Sequence, residues 1–367
     1  MKNISGFFFG LPNRDFLGRQ VSEQLAYTQS ETFFHLAVAK NARIARLREY
    51  FSREGINKVF ISANLAGFEC RLPGVNVDFL EKGFFQETEA TVRERKQSLL
   101  EGAVVIVNNN DVGLQGEMAH YADFYKQCEK TIFVAWDWDN HHWLELSTLL
   151  AAHSDLYAPA HHENLYLLSR YNGLTVGPVY CASVQWPRKF LADHLPEMLC
   201  AERSSEPLGK HIPYAPFNFR SRVITTLSQH YPSIGFSDRG FHVRTPEERL
   251  KEWYSHKVHW IVPVLNDVPI RIFDALVTGG IPIVPESLRF LPPVNGISRE
   301  HILFYGPNDI VNPKKLVTRA NALFEDGGRD QLAARHRFAL DYHHGDCRIR
   351  QMLGYVAEAL NLKQLVG

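Results

Sequence analysis

Short apolar runs alternate with longer helical segments along most of the chain, and this alternation limits the fold more than any other feature. Runs at 59–62, 103–107 and 131–136 are each followed by a segment whose apolar residues have helical spacing, and a first strand is predicted at 4–9. Buried strands that alternate with helices are typical of parallel sheets covered on both faces. The sequence therefore predicts an α/β protein with doubly wound parallel sheets.

The alternation stops between residues 184 and 210, where three prolines interrupt it, and then resumes. A chain of 367 residues is long enough for two domains, each with its own core. We expect a Rossmann-like domain over 1–190, a second over 207–345, and a closing helical segment over 346–367.

Charge and cysteine content narrow the class of protein. Lys and Arg together number 40, as do Asp and Glu, so no net field attracts nucleic acid. The five cysteines are scattered and form no Cys-x-x-Cys pair, so neither a disulfide framework nor a structural zinc site is expected. Because no run of about twenty apolar residues is present, we expect a cytoplasmic protein without a membrane span, and peripheral association with the inner face of a membrane stays open.

The segment from Pro269 to Pro285 carries the clearest functional pattern. Apolar residues at 272, 273, 276 and 277 form a helical stripe, Gly279-Gly280 ends the helix, and the run after it is typical of a buried strand. Arg271 falls in the first helical turn, where unbonded N–H groups and the helix dipole favour an anion. Asp274, one turn later, could accept hydrogen bonds from sugar hydroxyls. A surface ion pair between Arg271 and Asp274 explains the same spacing.

This segment, Arg-Ile-Phe-Asp-Ala-Leu-Val-Thr-Gly-Gly-Ile-Pro-Ile-Val, resembles the donor-binding segment of GT-B glycosyltransferases, particularly the family 4-like and spore-maturation-type enzymes. Asp274 stands where those enzymes usually have Glu, and Val277-Thr278 replace a pair of small residues. The resemblance implies two Rossmann-like domains that face each other across a cleft, with the last helix crossing back to the first domain. It also implies a nucleotide-sugar donor in the second half and an acceptor against the first.

The resemblance implies further donor contacts. Arg222 lies at the first strand-to-helix turn of the second half, although a solvated helix start accounts for it equally well, and Lys257 lies near the place of a basic phosphate ligand in related enzymes. The expected donor-binding residues are Arg271, Asp274, Lys257, Arg222, Gly279 and Gly280. Cationic side chains would neutralise the leaving phosphate, so no metal ion and no resident cofactor is expected. The implied acceptor is a saccharide or a lipid-linked glycan, as in the assembly of surface polysaccharides such as lipopolysaccharide O-antigen or capsule.

Residues 136–143, Trp-Asp-Trp-Asp-Asn-His-His-Trp, form the densest cluster of polar and aromatic side chains. They follow a predicted buried strand, where loops of an open α/β sheet line the ligand crevice. Asp137, Asp139 and His141 are the expected catalytic residues, since carboxylates and imidazoles supply general bases and stabilise an oxocarbenium-like centre. Helix capping and packing are the alternative explanation. A zinc site at His141 and His142 is a weaker hypothesis, because adjacent residues on a helix point in different directions.

Two other classes of protein are alternatives to a transferase. A non-catalytic GT-B-like carbohydrate-binding or assembly protein would keep the fold without the chemistry. A Rossmann oxidoreductase would need a glycine fingerprint after the first strand, and residues 10–14, Gly-Leu-Pro-Asn-Arg, do not contain it.

Overall fold

The computed structural model describes residues 22, 31–65, 74–112, 117–214, 218–237 and 244–362. The predicted first strand at 4–9 and the loop at 10–14 lie outside the described residues. The chain divides into two compact units. The N-terminal unit contains the described residues of 16–180 together with 346–362, and the C-terminal unit contains residues 181–345.

From residue 31 onward, the described part of the N-terminal unit consists of a long helix followed by alternating strands and helices. The helices are α1 (Glu31–Glu54), α2 (Ala90–Leu100), α3 (Asn109–Val112), α4 (Glu117–Gln127), α5 (Leu144–Ala152) and α6 (Leu165–Leu168). The strands are β1 (Lys58–Ile61), β2 (Asn76–Phe79), β3 (Ala103–Asn108), β4 (Ile132–Asp137) and β5 (Leu156–Pro159).

All five strands of this unit pair in parallel, in the order β2-β1-β3-β4-β5. Every residue of β3 and β4 is buried, which explains why these two strands are nearly continuous apolar runs in the sequence. Their side chains pack with aromatic residues of α4, including Tyr121 and Phe124, in the core of the unit. The predicted α/β class with parallel sheets is therefore confirmed.

Three elements of this unit are not evident from the alternation of apolar runs and helical segments. β2 is an edge strand whose residues are mostly exposed and which therefore lacks an apolar run. Residues 109–112, directly after β3, form a short helix. The segment after β5 forms a single helical turn, α6, which begins after Asn164 in the left-handed region at φ 63°.

The C-terminal unit repeats the alternation. Its helices are α7 (Arg188–Cys200), α8 (Asn218–Ser228), α9 (Pro246–Tyr254), α10 (Ile270–Val277), α11 (Pro307–Val311) and α12 (Lys314–His343). Its strands are β6 (Gly209–His211), β7 (Ile234–Phe236), β8 (Val258–Trp260), β9 (Ile281–Pro285) and β10 (Leu303–Tyr305). The stretch expected to be an irregular connection contains α7, which tolerates Pro196 in its interior.

The strands of the C-terminal unit are also parallel. β6 pairs with β7, and β9 lies between β8 and β10. Leu208 joins the two sets, because its amide donates to Val258 O at 2.9 Å and its carbonyl accepts from Trp260 N at 2.8 Å. The resulting order, β7-β6-β8-β9-β10, matches that of the N-terminal unit when the strands of each are counted along the chain.

The last part of the chain is helical with two interruptions. α12 breaks at Gly328, whose φ of 54° and ψ of −158° lie outside the helical region, and α13 (Gly345–Ala359) follows it. The carbonyl of Ala359 accepts a hydrogen bond from Arg48 Nε of α1 at 2.7 Å. Among the described helices, none has the length and apolar character needed to cross a membrane.

The turn between α10 and β9 is closely packed and requires glycine. Gly279 has a φ of 77°, and a Cβ atom there would lie 2.5 Å from Leu332 Cδ2 of α12. A Cβ atom on Gly280 would lie 2.5 Å from the ring of His259 in β8. The prediction that Gly279-Gly280 ends the helix is confirmed, because α10 ends at Val277 with Thr278 as its C-cap.

We predict that Gly280→Ala destabilises the C-terminal unit by about 1 to 3 kcal/mol, because the added methyl group overlaps a buried ring. Gly296→Ala is the matched control in the same unit, since a Cβ atom there meets no atom within 4 Å. Urea denaturation of both variants and the unaltered chain tests this. Equal stability of the two variants would show that the turn adjusts without cost.

Candidate functional site

The carboxyl ends of β6 and β8 are the place where a sheet of this order binds ligands. The connections from these two neighbouring strands leave in opposite directions, and the divergence opens a crevice beyond the strand ends. Ile212 follows β6, and the segment 261–268 leads from β8 to α10. The first turn of α10, which carries Arg271, therefore lies at this edge of the sheet.

Arg271, in the first turn of α10, is one of two described cations at this edge of the sheet. Its side chain is partly buried, and among the described residues no hydrogen bond or close ion pair holds its guanidinium. Burial lowers the pKa of Arg271, while Asp274, Tyr214 and Asp267 act in the opposite direction. An arginine stays charged at neutral pH, so this position offers a cation with free donors.

Arg220 is a second cation at the same edge, and it holds the strand ends in place. Its Nη1 donates to Ile212 O at 2.7 Å and its Nε to Val262 O at 3.2 Å, so it links the segments that follow β6 and β8. Burial, and then the charge of Arg271, lowers the pKa of Arg220 to about 10. The two guanidinium groups thus raise the electrostatic potential of this edge together.

His211, the last residue of β6, is fully buried beside these arginines. Burial is the main cause that lowers the pKa of His211 well below 6.5, and Arg271 and Arg220 lower it further. The imidazole is therefore neutral at pH 7. The chemistry of the edge, two cations and a neutral ring at a helix N-terminus, suits an anion such as a phosphate group.

Asp274 is buried, and its carboxylate is hydrogen-bonded within the protein. It has no exposed surface, and its carboxylate accepts hydrogen bonds from Ser183 Oγ at 2.8 Å and from Gln185 Nε2. Burial raises the pKa of Asp274 to about 6, against the effect of these two donors and of Arg271. In the structure this residue anchors the segment 183–185 to α10, and its expected role in donor binding stays a prediction.

Three other expected donor ligands lie on the opposite edge of the sheet. Lys257 precedes β8, and its Nζ pairs with Glu325 at 2.6 Å. Gly279 and Gly280 precede β9 and pack against α12 and β8. In a parallel sheet, residues before a strand and residues after it lie at opposite edges, so the structure does not bring these three together with the first turn of α10. Their assignment to donor binding stays a prediction.

Arg222 is exposed, whereas Arg220, two residues earlier on α8, is buried with Val223, Ile224 and Leu227. The donor contact expected of Arg222 stays a prediction. Residues two apart on a helix face different directions. The spacing i, i+3, i+4 and i+7 places Arg220 on the buried stripe, so the sequence contained the signal that distinguishes the two arginines.

The carboxyl edge of the N-terminal unit carries a second polar cluster, made by α3, which follows β3, and by the loop after β4. Asn109 of α3 joins the two, because its side-chain oxygen accepts from Trp138 N at 2.8 Å and its amide donates to Asp139 Oδ2 at 2.6 Å. Asp139 is partly exposed, and burial raises its pKa above the ordinary value. It is therefore the accessible carboxylate of this cluster. Asn109 is not among the residues that the sequence predicts for a site. Its position directly after a buried strand could have indicated it.

Asp137 belongs to the interior. It is the last residue of β4 and is 1% exposed. Its Oδ2 accepts from Tyr157 OH at 2.6 Å and its Oδ1 accepts from Asp139 N at 3.0 Å. Burial raises the pKa of Asp137 to about 6. The sequence predicted the same catalytic role for Asp137 and Asp139. In the structure Asp137 is buried and bonds to the loop backbone, whereas Asp139 reaches the surface of the loop.

The histidines of this loop are neutral. His141 is buried, and burial lowers its pKa well below 6.5, with further lowering by His161 and His142. Its Nε2 lies 2.9 Å from Nδ1 of His142, so one ring donates a hydrogen bond to the other. These two nitrogens are therefore not both open to a metal ion. His141 is placed to position the loop, and protonated His141 is not available as an acid at pH 7.

Comparison with known proteins adds no assignment. No model of a protein family matches the chain. No curated protein matches it in sequence.

We predict that Asp274→Asn flattens the pH dependence of stability of the C-terminal unit. The folded carboxyl keeps its proton up to about pH 6, whereas an unfolded Asp loses it near 3.8, so stability falls as the pH rises through this window. The difference of about two pKa units corresponds to about 3 kcal/mol.

The variant should therefore gain stability relative to the unaltered chain between pH 4 and pH 6. Hydrogen exchange of amides in β8 and β9 measures the free energy of opening at each pH. Parallel pH profiles for the two proteins would contradict the assignment of this slope to Asp274.

Proposed function

We propose that the protein is a glycosyltransferase that transfers a sugar from a nucleotide-sugar donor, whose phosphate binds Arg271 at the carboxyl edge of the C-terminal unit. The observation that carries the proposal is the unengaged Arg271 guanidinium in the first turn of α10, beside the buried cation Arg220. A guanidinium that forms no hydrogen bond with a described residue keeps its N–H donors for a phosphate, which it can bind with two parallel bonds. The resemblance of residues 271–284 to a donor-binding segment supports the same conclusion.

The reaction would use the charge at this edge and a carboxylate from the other unit. The acceptor hydroxyl oxygen forms a bond to the anomeric carbon, and the bond from that carbon to the phosphate oxygen breaks. Arg271 and the N-terminal N–H groups of α10 stabilise the charge on the departing phosphate. In an inverting transfer Asp139 takes the hydroxyl proton as general base, and its raised pKa suits that task. In a retaining transfer a carboxylate would instead stabilise the oxocarbenium-like centre.

The full proposal includes the GT-B arrangement, with the donor on the C-terminal unit and the acceptor on the N-terminal unit. The shared strand order of the two units is what such an arrangement needs. The proposed acceptor is a saccharide or a lipid-linked glycan, and the proposed setting is surface-polysaccharide assembly at the cytoplasmic face of a membrane. Both follow from the resemblance.

A second candidate is a carbohydrate-binding protein of the same fold without catalysis. The hydrogen bonds that Asp137 and Asp139 already accept within the N-terminal unit favour it, because carboxylates engaged in this way also serve as loop anchors. The two candidates differ in whether any donor is consumed.

We predict that Arg271→Ala weakens binding of nucleotide diphosphates about 10- to 100-fold, the usual loss for a charge-assisted hydrogen bond. Arg319→Ala is the matched control, since Arg319 is an exposed residue of α12 in the same unit. Isothermal titration with UDP, GDP, ADP and CMP measures both. Equal losses in the two variants, or no binding of any nucleotide to the unaltered chain, would refute the donor site.

We predict that Asp139→Asn lowers the rate of sugar transfer by on the order of 10²-fold and leaves donor affinity unchanged, as expected for loss of a general base. Release of nucleotide from a panel of UDP-, GDP-, ADP- and CMP-sugars with glycan acceptors measures the rate. Binding of donor without turnover in the unaltered chain would favour the non-catalytic candidate.

A further inference from the structure

A pocket of about 290 Å³ lies in the N-terminal unit, at the edge of its sheet opposite the Asp139 cluster. Lys40, Asn41, Ile44 and Arg48 of α1 line one side. The other side is formed by Asp155, which immediately precedes β5, and by the turn at 172–174. Because Asp155 comes before its strand, this is the amino edge of the sheet. We call it the amino-edge pocket.

Lys40 is the central charge of the pocket. Only 8% of the residue is exposed, and its Nζ donates to Ala151 O at 2.9 Å and to Ser154 O. These carbonyls lie at and just after the C-terminal end of α5, where the helix dipole favours a cation. An ammonium group has three N–H donors, and these two bonds use two of them. One donor remains for a further acceptor.

The carboxylate nearest to Lys40 is already fully engaged. Asp155 accepts two hydrogen bonds from Arg43, at 2.7 and 3.3 Å, and others from Phe133 N at 2.9 Å and Tyr125 OH at 3.3 Å. No described carboxylate forms a close ion pair with Lys40 itself. The negative charge of Asp155 thus balances Arg43, and the charge of Lys40 is left for another anion.

Arg48 adds a second cation at the mouth of the pocket. Its Nε donates to Ala359 O at 2.7 Å, which holds the guanidinium against the end of α13. Its Nη groups form no hydrogen bond with a described residue. The charge of Asp155 is balanced by Arg43, so the charges of Lys40 and Arg48 give the pocket an excess of positive charge.

We propose that the amino-edge pocket binds a small anion, a phosphate or carboxylate compound that Lys40, Arg48 and the Asn41 amide hold. The pocket has room for a small compound of this kind. The site lies in the other unit from Arg271, so it goes beyond the proposed transfer reaction and does not depend on it.

Proton uptake should accompany binding. The groups that face Lys40 are Arg43 on its own helix, Tyr125 on α4, His153 after α5 and Asp155 before β5. Burial is the main cause that lowers the pKa of Lys40 to about 7, with Asp155 opposing it and Arg43 adding to it. A bound anion favours the charged lysine. Affinity should therefore fall as the pH rises above about 7.

The test is isothermal titration of the full chain with inorganic phosphate, glycerol 3-phosphate and succinate at constant ionic strength. We expect saturable binding of the phosphate compounds, of succinate, or of both, and the comparison identifies which anion the pocket prefers. Arg48→Gln should weaken the preferred anion about tenfold, the effect of one charge-assisted hydrogen bond. Arg46→Gln, an exposed arginine of the same helix outside the pocket, should change it less than twofold.

Lys40→Met keeps the aliphatic stem and should abolish binding. Should this variant fail to fold, the pair Arg48→Gln and Arg46→Gln decides the matter. Absence of saturable binding of all three anions at millimolar concentration overturns the proposal, and so does equal weakening by the two arginine variants. In that case Lys40 serves only to cap the end of α5.

Discussion

Parallel strand pairing is the constraint on which the rest of this structure depends. Each helix returns the chain to the same end of its sheet, so residues that follow a strand lie at one edge and residues that precede a strand lie at the other. Arg271 and Asp139 follow strands, whereas Lys257, Gly280 and Lys40 lie at amino edges. The same rule therefore separates the candidate transfer residues from the supporting ones in both units.

The position of Arg271 depends on how firmly α10 is held. At its C-terminal end the carbonyls of Val277, Thr278 and Gly279 accept hydrogen bonds from His336, Arg203 and Arg335 in turn. Buried donors at this end satisfy carbonyls that the helix cannot pair itself and complement its dipole. Asp274 fixes the middle of the helix to the segment 183–185. The N-terminal turn has no side-chain cap. Ile272 N donates to Pro269 O at 3.1 Å, so the N–H groups of Ile270 and Arg271 are the ones that face a ligand.

Much of the fold could be predicted because burial and local spacing coincide. β3, β4 and β9 are apolar runs since helices cover them on both faces, and α9 begins with the capping box of Thr245 and Glu248. β2 could not be predicted in this way, because its side chains are exposed and its pairing with β1 is made by the backbone. The break in α12 falls at Gly328, the second residue of a Gly pair, where the backbone leaves the helical region.

The candidate sites show the same division. The sequence by itself determined the α/β alternation, the helix that carries Arg271 and the loop that carries Asp139, because these depend on the spacing of residues along one element. Only the tertiary structure decided that Arg220 links the segments after β6 and β8, that Asp137 and Asp274 are buried anchors, and that Lys40 lines a pocket. These outcomes depend on which residues from distant parts of the chain compete for the same hydrogen bonds and the same buried space, and sequence spacing does not record that competition.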